Sequence, residues 1–260
     1  MASAVTIAST AIIHPRAQIG DDVQIGPYSV VGENVRIGRG TEIGAHVILD
    51  GWTTIGEHCR ISTGAVVGSE PQDLKYRGAQ SFVRIGDYTT IREYSTVNRG
   101  TMEGDETRVG QGCLLMAYSH VAHNCILEDS VIMASFAALA GHIRIGSNGI
   151  IGGLVAIHQF CQVGRYALVG GASAVRQDVL PFTRAAGNPC RSYGLNVVGL
   201  RRHGFSEDRI RRLKRIYRTI FRSHLSEEKA LACVEEEMPN DEDARQIIGF
   251  VRRSERGICR

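Results

Sequence analysis

Four histidines lie in one segment of mostly apolar and small residues, and their chemistry is the first indication of function. They are His120, His123, His142 and His158, within residues 119–160. A neutral imidazole near pH 7 can take a proton from a hydroxyl as that hydroxyl attacks a carbonyl carbon. Three imidazoles contributed across a subunit boundary can instead hold zinc with an open fourth position. Histidines can also be core residues without a chemical role, so their position in the fold decides between these alternatives.

A six-residue repeat determines where these histidines lie. Aliphatic residues recur at every sixth position from Ile13 to Val175, and the phase survives two interruptions. The next residue is often glycine, and the fifth residue of each block is mostly small. An α-helix has a period of 3.6 and a flat strand a period of 2, so neither explains a period of six. The repeat predicts a parallel β-helix in which each block forms one short face of a three-sided prism.

The first and fifth residues of each block are expected to point inward and to stack on their equivalents in neighbouring coils. Cys59, Cys113, Cys125 and Cys161 occupy the fifth position, which predicts that they are small core residues. The chain has seven cysteines and no CxxC pair, a pattern typical of free thiols in a reducing compartment.

Two polar interruptions, Gly68–Arg84 and Asn98–Thr107, lack the inward pattern and predict loops that leave the prism. After Val175 the repeat fades, and residues 177–194 are interpreted as a linker. We therefore predict a mainly β fold, a parallel β-helix of hexapeptide repeats with two protruding loops, followed by a small helical C-terminal domain. The predicted domains are residues 1–190 and residues 191–260.

Helix-start signals predict three helices in the C-terminal domain. Ser206 and Ser226 are each followed by two acidic residues, and a third helix is predicted from Glu242 to Arg253. The first part of this domain is basic: Arg201, Arg202, Arg209, Arg211, Arg212, Lys214, Arg215 and Arg218. These side chains are interpreted either as a solvated helix face or as a dock for an acidic partner.

Equivalent positions of a three-sided coil recur every eighteen residues, which collects the histidines on one side. The blocks that carry three of them begin at Val121, Leu139 and Ile157 and so share a face in successive coils. His120 ends the preceding block, at the corner next to that face. None of the four occupies an inward position, so all are expected to point outward, within a few strand spacings of each other. The first loop leaves and returns on the same face.

Composition excludes several classes of protein. The formal net charge of +3 argues against a nucleic-acid-binding protein with a strong basic field. No segment approaches the roughly 18 to 20 continuous apolar residues of a membrane span. The first ten residues have no basic region before an apolar one, so no secretion signal is expected. We interpret the chain as a soluble cytoplasmic protein that binds no nucleic acid and does not insert stably into membranes.

Six segments resemble the bacterial UDP-N-acetylglucosamine 3-O-acyltransferases, which begin lipid A synthesis. They are "QDLKY" (72–76), "HVAHNC" (120–125), "LAGH" (139–142), "HQFCQVG" (158–164), "GLRRHGFS" (199–206) and the terminal "RGICR". The resemblance extends over nearly the whole chain, and a generic hexapeptide repeat would not contain "QDLKY" or "GLRRHGFS". It implies a left-handed β-helix, whereas the general rule for parallel crossovers would give the opposite hand.

The resemblance also implies an activity and an assembly. Members of the family transfer an (R)-3-hydroxyacyl group from acyl carrier protein to the 3-hydroxyl of UDP-N-acetylglucosamine, and they form homotrimers with active sites between neighbouring prisms. No cofactor is expected, because the acyl donor is carried on the phosphopantetheine of acyl carrier protein. By resemblance, His123 is the general base, and the backbone N–H of Gly141 stabilises negative charge on the thioester carbonyl.

Further site residues follow from the same resemblance. Those implied to contact the sugar nucleotide or the phosphopantetheine arm are Asp73, Lys75, His120, His142, His158, Gln159, Asn196 and Arg202. The basic helix would face the acidic carrier protein, and Arg202 would lie near phosphate. The acyl chain is expected along a groove near Gly171 and Pro189, where a small residue at position 171 leaves room for a long chain.

Two departures from the family pattern leave alternatives open. Asn124 follows the predicted base where the family commonly has aspartate, so either another carboxylate serves or the acceptor needs less help, as a 3-amino sugar would. Asn98 stands where members carry histidine. Other classes are a zinc-dependent gamma-class carbonic anhydrase and a non-catalytic scaffold. The related N-acyltransferase of the same pathway would be expected to carry an additional N-terminal domain.

Overall fold

The computed structural model describes residues 5–260. Residues 1–4 lie outside the described residues; they are the start of the predicted β-helix domain and of the segment interpreted as lacking a secretion signal. Within residues 5–260 the chain forms 28 short β-strands followed by four α-helices.

Most of the strands contain two residues, as expected for a repeat of six. In chain order the strands are β1 (Thr6–Ile7), β2 (Ile12–Ile13), β3 (Gln18–Ile19), β4 (Gln24–Ile25), β5 (Val30–Val31), β6 (Arg36–Ile37), β7 (Glu42–Ile43), β8 (Ile48–Leu49), β9 (Trp52–Ile55), β10 (Arg60–Ile61), β11 (Val66–Ser69), β12 (Phe82–Ile85), β13 (Thr90–Ile91), β14 (Thr96–Asn98), β15 (Glu106–Val109), β16 (Leu114–Leu115), β17 (His120–Val121), β18 (Ile126–Leu127), β19 (Ile132–Met133), β20 (Ala138–Leu139), β21 (Arg144–Ile145), β22 (Ile150–Ile151), β23 (Ala156–Ile157), β24 (Gln162–Val163), β25 (Leu168–Val169), β26 (Ala174–Val175), β27 (Thr183–Ala186) and β28 (Arg191–Leu195). The helices are α1 (Val197–Arg202), α2 (Glu207–Arg222), α3 (Glu227–Glu237) and α4 (Glu242–Arg252).

Three parallel sheets form the faces of the prism. Sheet A contains β1 and every third strand to β25, followed by β27 and β28; sheet B runs from β2 to β26, and sheet C from β3 to β24. Each strand in the prism pairs with the strand three places further along the chain, so Thr6 pairs with Gln24 at the predicted spacing of eighteen. The coil is left-handed, as the resemblance implied.

The interior of the prism confirms the predicted inward positions. The first residue of every block from Ile25 to Val175 is buried, and Ile13 and Ile19 at the open end are partly buried against the same core. Polar residues at the fifth position are tolerated because their hydroxyls find backbone acceptors; the Ser29 hydroxyl, for example, donates to the Gly44 carbonyl at 2.7 Å.

The four fifth-position cysteines are buried core residues, as predicted. Burial raises the pKa of the Cys113 thiol to about 11 and that of Cys125 to about 12. These thiols therefore stay protonated near neutral pH and are poor nucleophiles.

Both predicted loops are present, but they are shorter than the sequence suggested. Strand pairs flanking them show the insertion directly: Val66 pairs with Thr96, a spacing of 30, and Thr96 with His120, a spacing of 24. The flanking strands extend into the predicted loops because their backbones continue the ladder. What remains is loop 1, residues 70–81, and loop 2, residues 99–105.

The C-terminal helices begin where the sequence predicted. The side chains of Ser206 and Ser226 cap α2 and α3, and α4 begins at Glu242. Two features were missed. The predicted linker contains an antiparallel hairpin, β27 and β28, that extends sheet A, and α1 precedes the predicted helices. The hairpin lacks the six-residue phase, which is why the repeat did not reveal it.

The hairpin connects the prism to the helices without a break in packing. The predicted boundary at residue 190 falls between its two strands. A second core, which includes Phe182 and the buried face of α2, joins the end of the prism to the helices. Within residues 5–260, no helix has the length and apolarity that crossing a bilayer would require.

Candidate active site

The predicted histidine face is formed as the repeat indicated. The blocks that begin at Val121, Leu139 and Ile157 lie on adjacent strands of sheet B, namely β17, β20 and β23. The histidines point outward: three are half-buried, and His158 is exposed.

Three of the four histidines form a cluster. The rings of His123 and His142 are 5.2 Å apart between centroids and meet edge to face. His120 is fixed by a 2.7 Å hydrogen bond between its Nδ1 and the hydroxyl of Thr96 on the neighbouring strand. Burial, and then the charge of His123, lowers the pKa of His120. The same two causes lower the pKa of His142, opposed by Asp105 and Asp73, so these rings favour the neutral form.

The surroundings of His123 determine which of its ring nitrogens can accept a proton. Its Nδ1 lies 3.0 Å from the amide oxygen of Asn124. An amide oxygen can only accept a hydrogen bond, so Nδ1 carries the proton and Nε2 keeps a free lone pair. A hydroxyl that approached Nε2 would meet an acceptor already oriented for proton transfer.

Gly141 lies directly against the His123 ring, one coil further along the prism. A Cβ at position 141 would lie 2.6 Å from His123 Nε2 and closer still to Cε1, so only glycine permits this approach. Among residues 5–260 no group accepts a hydrogen bond from the Gly141 N–H. This arrangement leaves a free backbone donor beside the His123 ring.

Loop 1 brings Asp73 and Lys75 to the same region. The backbone N–H of Lys75 donates to the Asp73 carboxylate at 2.9 Å, and the Asp73 charge acts on His142. The loop is anchored by Arg99, whose buried guanidinium donates to the Gly68 carbonyl at 2.9 Å and to the Tyr76 hydroxyl at 2.9 Å.

The chain is similar to known proteins over nearly its whole length. The family model for UDP-N-acetylglucosamine O-acyltransferase, domain 2, matches residues 178–259, and the bacterial transferase hexapeptide model matches three overlapping stretches between residues 4 and 69. An acyl-[acyl-carrier-protein]–UDP-N-acetylglucosamine O-acyltransferase of Alkalilimnicola ehrlichii is 50% identical over 96% of this chain and 97% of its own length. One of Gloeothece citriformis is 52% identical over 75% of this chain and 70% of its own. The structure of LpxA from Acinetobacter baumannii matches 98% of this chain and 99% of its own with a TM-score of 0.94 at 42% identity.

The chain belongs to the UDP-N-acetylglucosamine O-acyltransferase family. It is therefore an acyltransferase with a left-handed hexapeptide β-helix. Gln159 of this acyltransferase follows Gly141 by eighteen residues and occupies the next coil of the same column, while His158 hydrogen-bonds the backbone carbonyl of Gln159 at 3.2 Å. Both are exposed, and no ring contact joins His158 to the other histidines within residues 5–260.

Two predicted nucleotide-binding residues belong to the C-terminal part of the acyltransferase. Asn196 is only 8% exposed and caps α1: its amide oxygen accepts from Gly199 N–H, and its NH2 donates to the Tyr166 carbonyl. Arg202, at the end of α1, is exposed. Within the described chain no hydrogen bond or ion pair joins either residue to the histidine cluster.

The residues predicted to line the acyl groove, Gly171 and Pro189, lie near β26, the last strand of sheet B. Gly171 and Pro189 are both exposed. Residues 187–190 pack against the strand that follows Gly171, because Ala174 donates to the Gly187 carbonyl at 3.0 Å and accepts from Cys190 N–H at 3.1 Å.

The basic surface of the acyltransferase is largely neutralised within the chain. Five of its eight cations form ion pairs with nearby carboxylates: Arg201, Arg209, Arg211, Arg212 and Arg215. The other three are exposed and form no ion pair among residues 5–260: Arg202, Lys214 and Arg218. Of the eight cations interpreted as a solvated face or as a dock for an acidic partner, these three remain without an ion pair among residues 5–260.

Sequence reasoning missed the residues that support the predicted base from loop 2. Thr101 donates its hydroxyl to the Asn124 amide oxygen at 3.1 Å, and Asn124 donates its NH2 to Asp105 at 2.8 Å. The segment was predicted as a loop, but without the repeat it offered no register for locating a side chain. The one indication in the sequence was Asn124 itself, which left open whether a carboxylate elsewhere in the chain serves in place of the usual aspartate.

Two further observations delimit the site. Within residues 5–260, no group of three or more His, Cys, Asp and Glu side chains has metal-binding geometry. A cleft of about 1040 Å³ lies between sheet C and α4, and its lining includes none of the predicted site residues.

Proposed function

We propose that this acyltransferase transfers an (R)-3-hydroxyacyl group from acyl carrier protein to the 3-hydroxyl of UDP-N-acetylglucosamine, the first step of lipid A synthesis. The observation that carries the proposal is the pairing of an oriented imidazole acceptor, His123 Nε2, with the adjacent free N–H of Gly141. The names of the relatives give the two substrates of those proteins, and their similarity to this chain supports the same substrates here.

The proposed reaction needs only groups already described. His123 Nε2 takes the proton of the sugar 3-hydroxyl as its oxygen attacks the thioester carbonyl carbon. The carbonyl oxygen becomes negative and accepts a hydrogen bond from Gly141 N–H. The C–S bond then breaks, and the imidazolium returns its proton to the departing phosphopantetheine thiolate. No further cofactor takes part in the proposal.

The remaining site residues bind rather than react. His120, His142 and Gln159 line the proposed sugar pocket, where neutral imidazoles hydrogen-bond hydroxyls without repelling one another. Asp73 and Lys75 hold the sugar nucleotide or the phosphopantetheine arm from loop 1.

The nucleotide and acyl ends of the site are proposed to need a second subunit. His158, Asn196 and Arg202 are assigned to the nucleotide end, yet the last two lie apart from the histidine cluster within one chain. A homotrimer, in which each cleft lies between two prisms, would bring the two sets together. The acyl chain follows the groove near Gly171 and Pro189.

Acyl carrier protein is proposed to dock through Lys214 and Arg218, two exposed cations that form no ion pair within the described chain. Carboxylates on an acidic partner would form ion pairs with these side chains without displacing an ion pair inside the chain. The corresponding test is whether binding weakens when Lys214 and Arg218 are changed to glutamine.

One assay tests the proposed reaction. Purified protein is incubated with UDP-N-acetylglucosamine or its 3-amino analogue and a series of 3-hydroxyacyl carrier proteins, and products are identified by mass spectrometry. We expect an ester at the sugar 3-position. Exclusive acylation of the amine would show that the acceptor is the 3-amino sugar nucleotide. If no donor gives transfer and the protein instead hydrates carbon dioxide in a zinc-dependent way, the proposal is overturned.

The assembly is tested separately. Sedimentation is expected to give a trimer, and mixing the inactive variants His123→Ala and Arg202→Ala in one refolded population should restore partial activity through clefts that receive both intact residues. A monomer, or the absence of complementation, would argue against shared sites.

A further inference from the structure

A hydrogen-bonded chain runs from loop 2 to the base. The Asp105 carboxylate accepts from the Asn124 NH2 at 2.8 Å, and the Asn124 amide oxygen lies 3.0 Å from His123 Nδ1. Asn124 thus separates the carboxylate from the imidazole by a single amide. Position 124 lacks the carboxylate that the family commonly has beside the base, and the Asp105 carboxylate lies one hydrogen bond beyond Asn124.

The direction of this chain is fixed by what each group can do. A carboxylate only accepts, so the NH2 end of Asn124 must face Asp105 and the oxygen end must face His123. Thr101 reinforces this orientation, because its backbone N–H donates to the amide oxygen at 3.2 Å. Its hydroxyl has two acceptors in reach, the same amide oxygen at 3.1 Å and the Asp105 carboxylate at 3.4 Å. An amide turned the other way would place an NH2 against Nδ1 and would favour the tautomer that carries its proton on Nε2, which cannot act as the base.

We propose that Asp105 is a positioning residue for the base: through Asn124 it holds His123 in the Nδ1–H tautomer and stabilises the imidazolium formed during the reaction. The role rests on the proposed function of His123. Asp105 does not contact the reacting atoms. Its negative charge, and the donor-to-acceptor direction of the two hydrogen bonds, act on the imidazole through the Asn124 amide.

Asp105 also has a local contact that could account for its presence by itself. Its carboxylate accepts from the backbone N–H of Met102 at 3.0 Å, which shapes loop 2. A purely structural Asp105 would change stability or loop order, but it would not change the tautomer or the protonation of His123. The experiments therefore measure those two properties.

The first experiment compares the pH dependence of turnover in the full-length protein. Asp105→Asn keeps the size of the side chain and removes the charge. We expect kcat to fall roughly tenfold while both KM values stay within about twofold. The acid limb of kcat/KM should move to lower pH, because loss of a nearby negative charge lowers the pKa of an imidazolium. The neighbouring titratable groups are unchanged in the comparison: His120 and His142 beside His123, and Asp73, whose charge acts on His142.

Two variants complete this experiment. The exchange Asp105→Asn with Asn124→Asp places the carboxylate directly on His123 Nδ1 and should recover most of the lost kcat and the position of the acid limb. Glu103→Gln removes a loop 2 carboxylate that accepts from Gln80 N–H at 2.9 Å and does not contact Asn124, and it should change neither quantity. If Asp105→Asn loses turnover but the acid limb does not shift and the exchange variant does not recover, Asp105 has a structural role and the proposal is overturned. Unchanged turnover in Asp105→Asn would also overturn it.

The second experiment does not depend on activity. Nitrogen NMR of histidine-labelled protein, with the His123 signals identified by their loss in His123→Gln, reports which ring nitrogen carries the proton. The proposal predicts the Nδ1–H tautomer in the natural protein and a mixture in Asp105→Asn. An Nε2–H tautomer, or an unaltered ring in Asp105→Asn, would refute the role of Asp105 even if the substrates proved to be different. Absence of acyl transfer together with the expected tautomers would instead refute the proposed function alone.

Discussion

Replacing Gly141 with alanine should disable the proposed base, His123, without disturbing the fold. The added methyl would lie 2.6 Å from His123 Nε2, whereas ordinary contacts begin near 3.4 Å, so the imidazole must move by about 1 Å. The obstacle is the end of a side chain, and Gly141 is not among the residues with positive φ, so the backbone can accept alanine.

The size of the effect follows from that displacement. A 1 Å misplacement of a reacting group costs about a hundredfold in rate, which corresponds to roughly 2.7 kcal/mol of transition-state stabilisation. We therefore expect kcat to fall by about two orders of magnitude, with a thermal unfolding midpoint within a few degrees of the natural protein. The measurement is steady-state transfer from a 3-hydroxyacyl carrier protein to UDP-N-acetylglucosamine, with thermal unfolding in parallel.

Two comparisons make the result specific. Gly249→Ala, in α4, meets only the flexible guanidinium of Arg253 at 3.1 Å and should retain full turnover. In the His123→Ala background, Gly141→Ala should cost much less than it does alone, because the ring it displaces is already absent. Natural turnover in Gly141→Ala, or full additivity of the two substitutions, would refute the close cooperation of these residues.

Three further predictions concern the surroundings of the site. Gly171→Met should shift donor preference to shorter acyl chains, because position 171 is exposed toward the proposed groove. A Cβ there meets only the Gly153 backbone, whose carbonyl oxygen would be 3.1 Å away. Unchanged selectivity across a donor series would contradict this. The pKa of His120 is lowered from 6.5, so the unfolded chain binds its proton more readily and the free energy of unfolding should fall as pH drops below about 6.5. His120→Gln should flatten that fall in denaturant titrations, and an identical pH profile would rule out His120 as its source. Arg99→Met should lower the free energy of unfolding by about 2 to 4 kcal/mol, because the buried guanidinium anchors loop 1. For the same reason it should raise the KM for the sugar nucleotide. An unchanged KM would mean that loop 1 does not bind the nucleotide.

The prism could be predicted from the sequence because one physical constraint repeats along it. Each six-residue block buries its first and fifth residues, so a single phase gives the inward set, the eighteen-residue coil and the shared face of the histidines. His123 and His142 could be placed on one wall in this way. The hairpin β27–β28 and α1 carry no such phase and were not recognised.

The residues that contact the proposed base from loop 2 could not be predicted in the same way. Asp105 lies in loop 2, where backbone hydrogen bonds to Met102 and Phe82 set the conformation and no repeat defines a register. Asn124 alone suggested a missing carboxylate. The fold of loop 2 decides which acidic side chain hydrogen-bonds Asn124. The same holds for Asn196, whose use as a helix cap depends on the position of α1.

The basic helix shows a different limit of sequence reasoning. Its charges were visible, but three of their partners come from distant parts of the C-terminal domain: Arg209 pairs with Asp243 at 2.6 Å, Arg212 with Asp241 at 2.8 Å and Arg215 with Glu237 at 2.8 Å. A count of cations along one helix therefore overstated the free charge available to a partner.

The most direct test of the account is the turnover of His123→Ala with and without added imidazole. If His123 removes the proton of the sugar hydroxyl, the variant should fold normally, lose at least about a thousandfold in kcat, and recover part of it with imidazole in proportion to the free base. A correctly folded His123→Ala protein that still acylates UDP-N-acetylglucosamine at the natural rate would contradict the account.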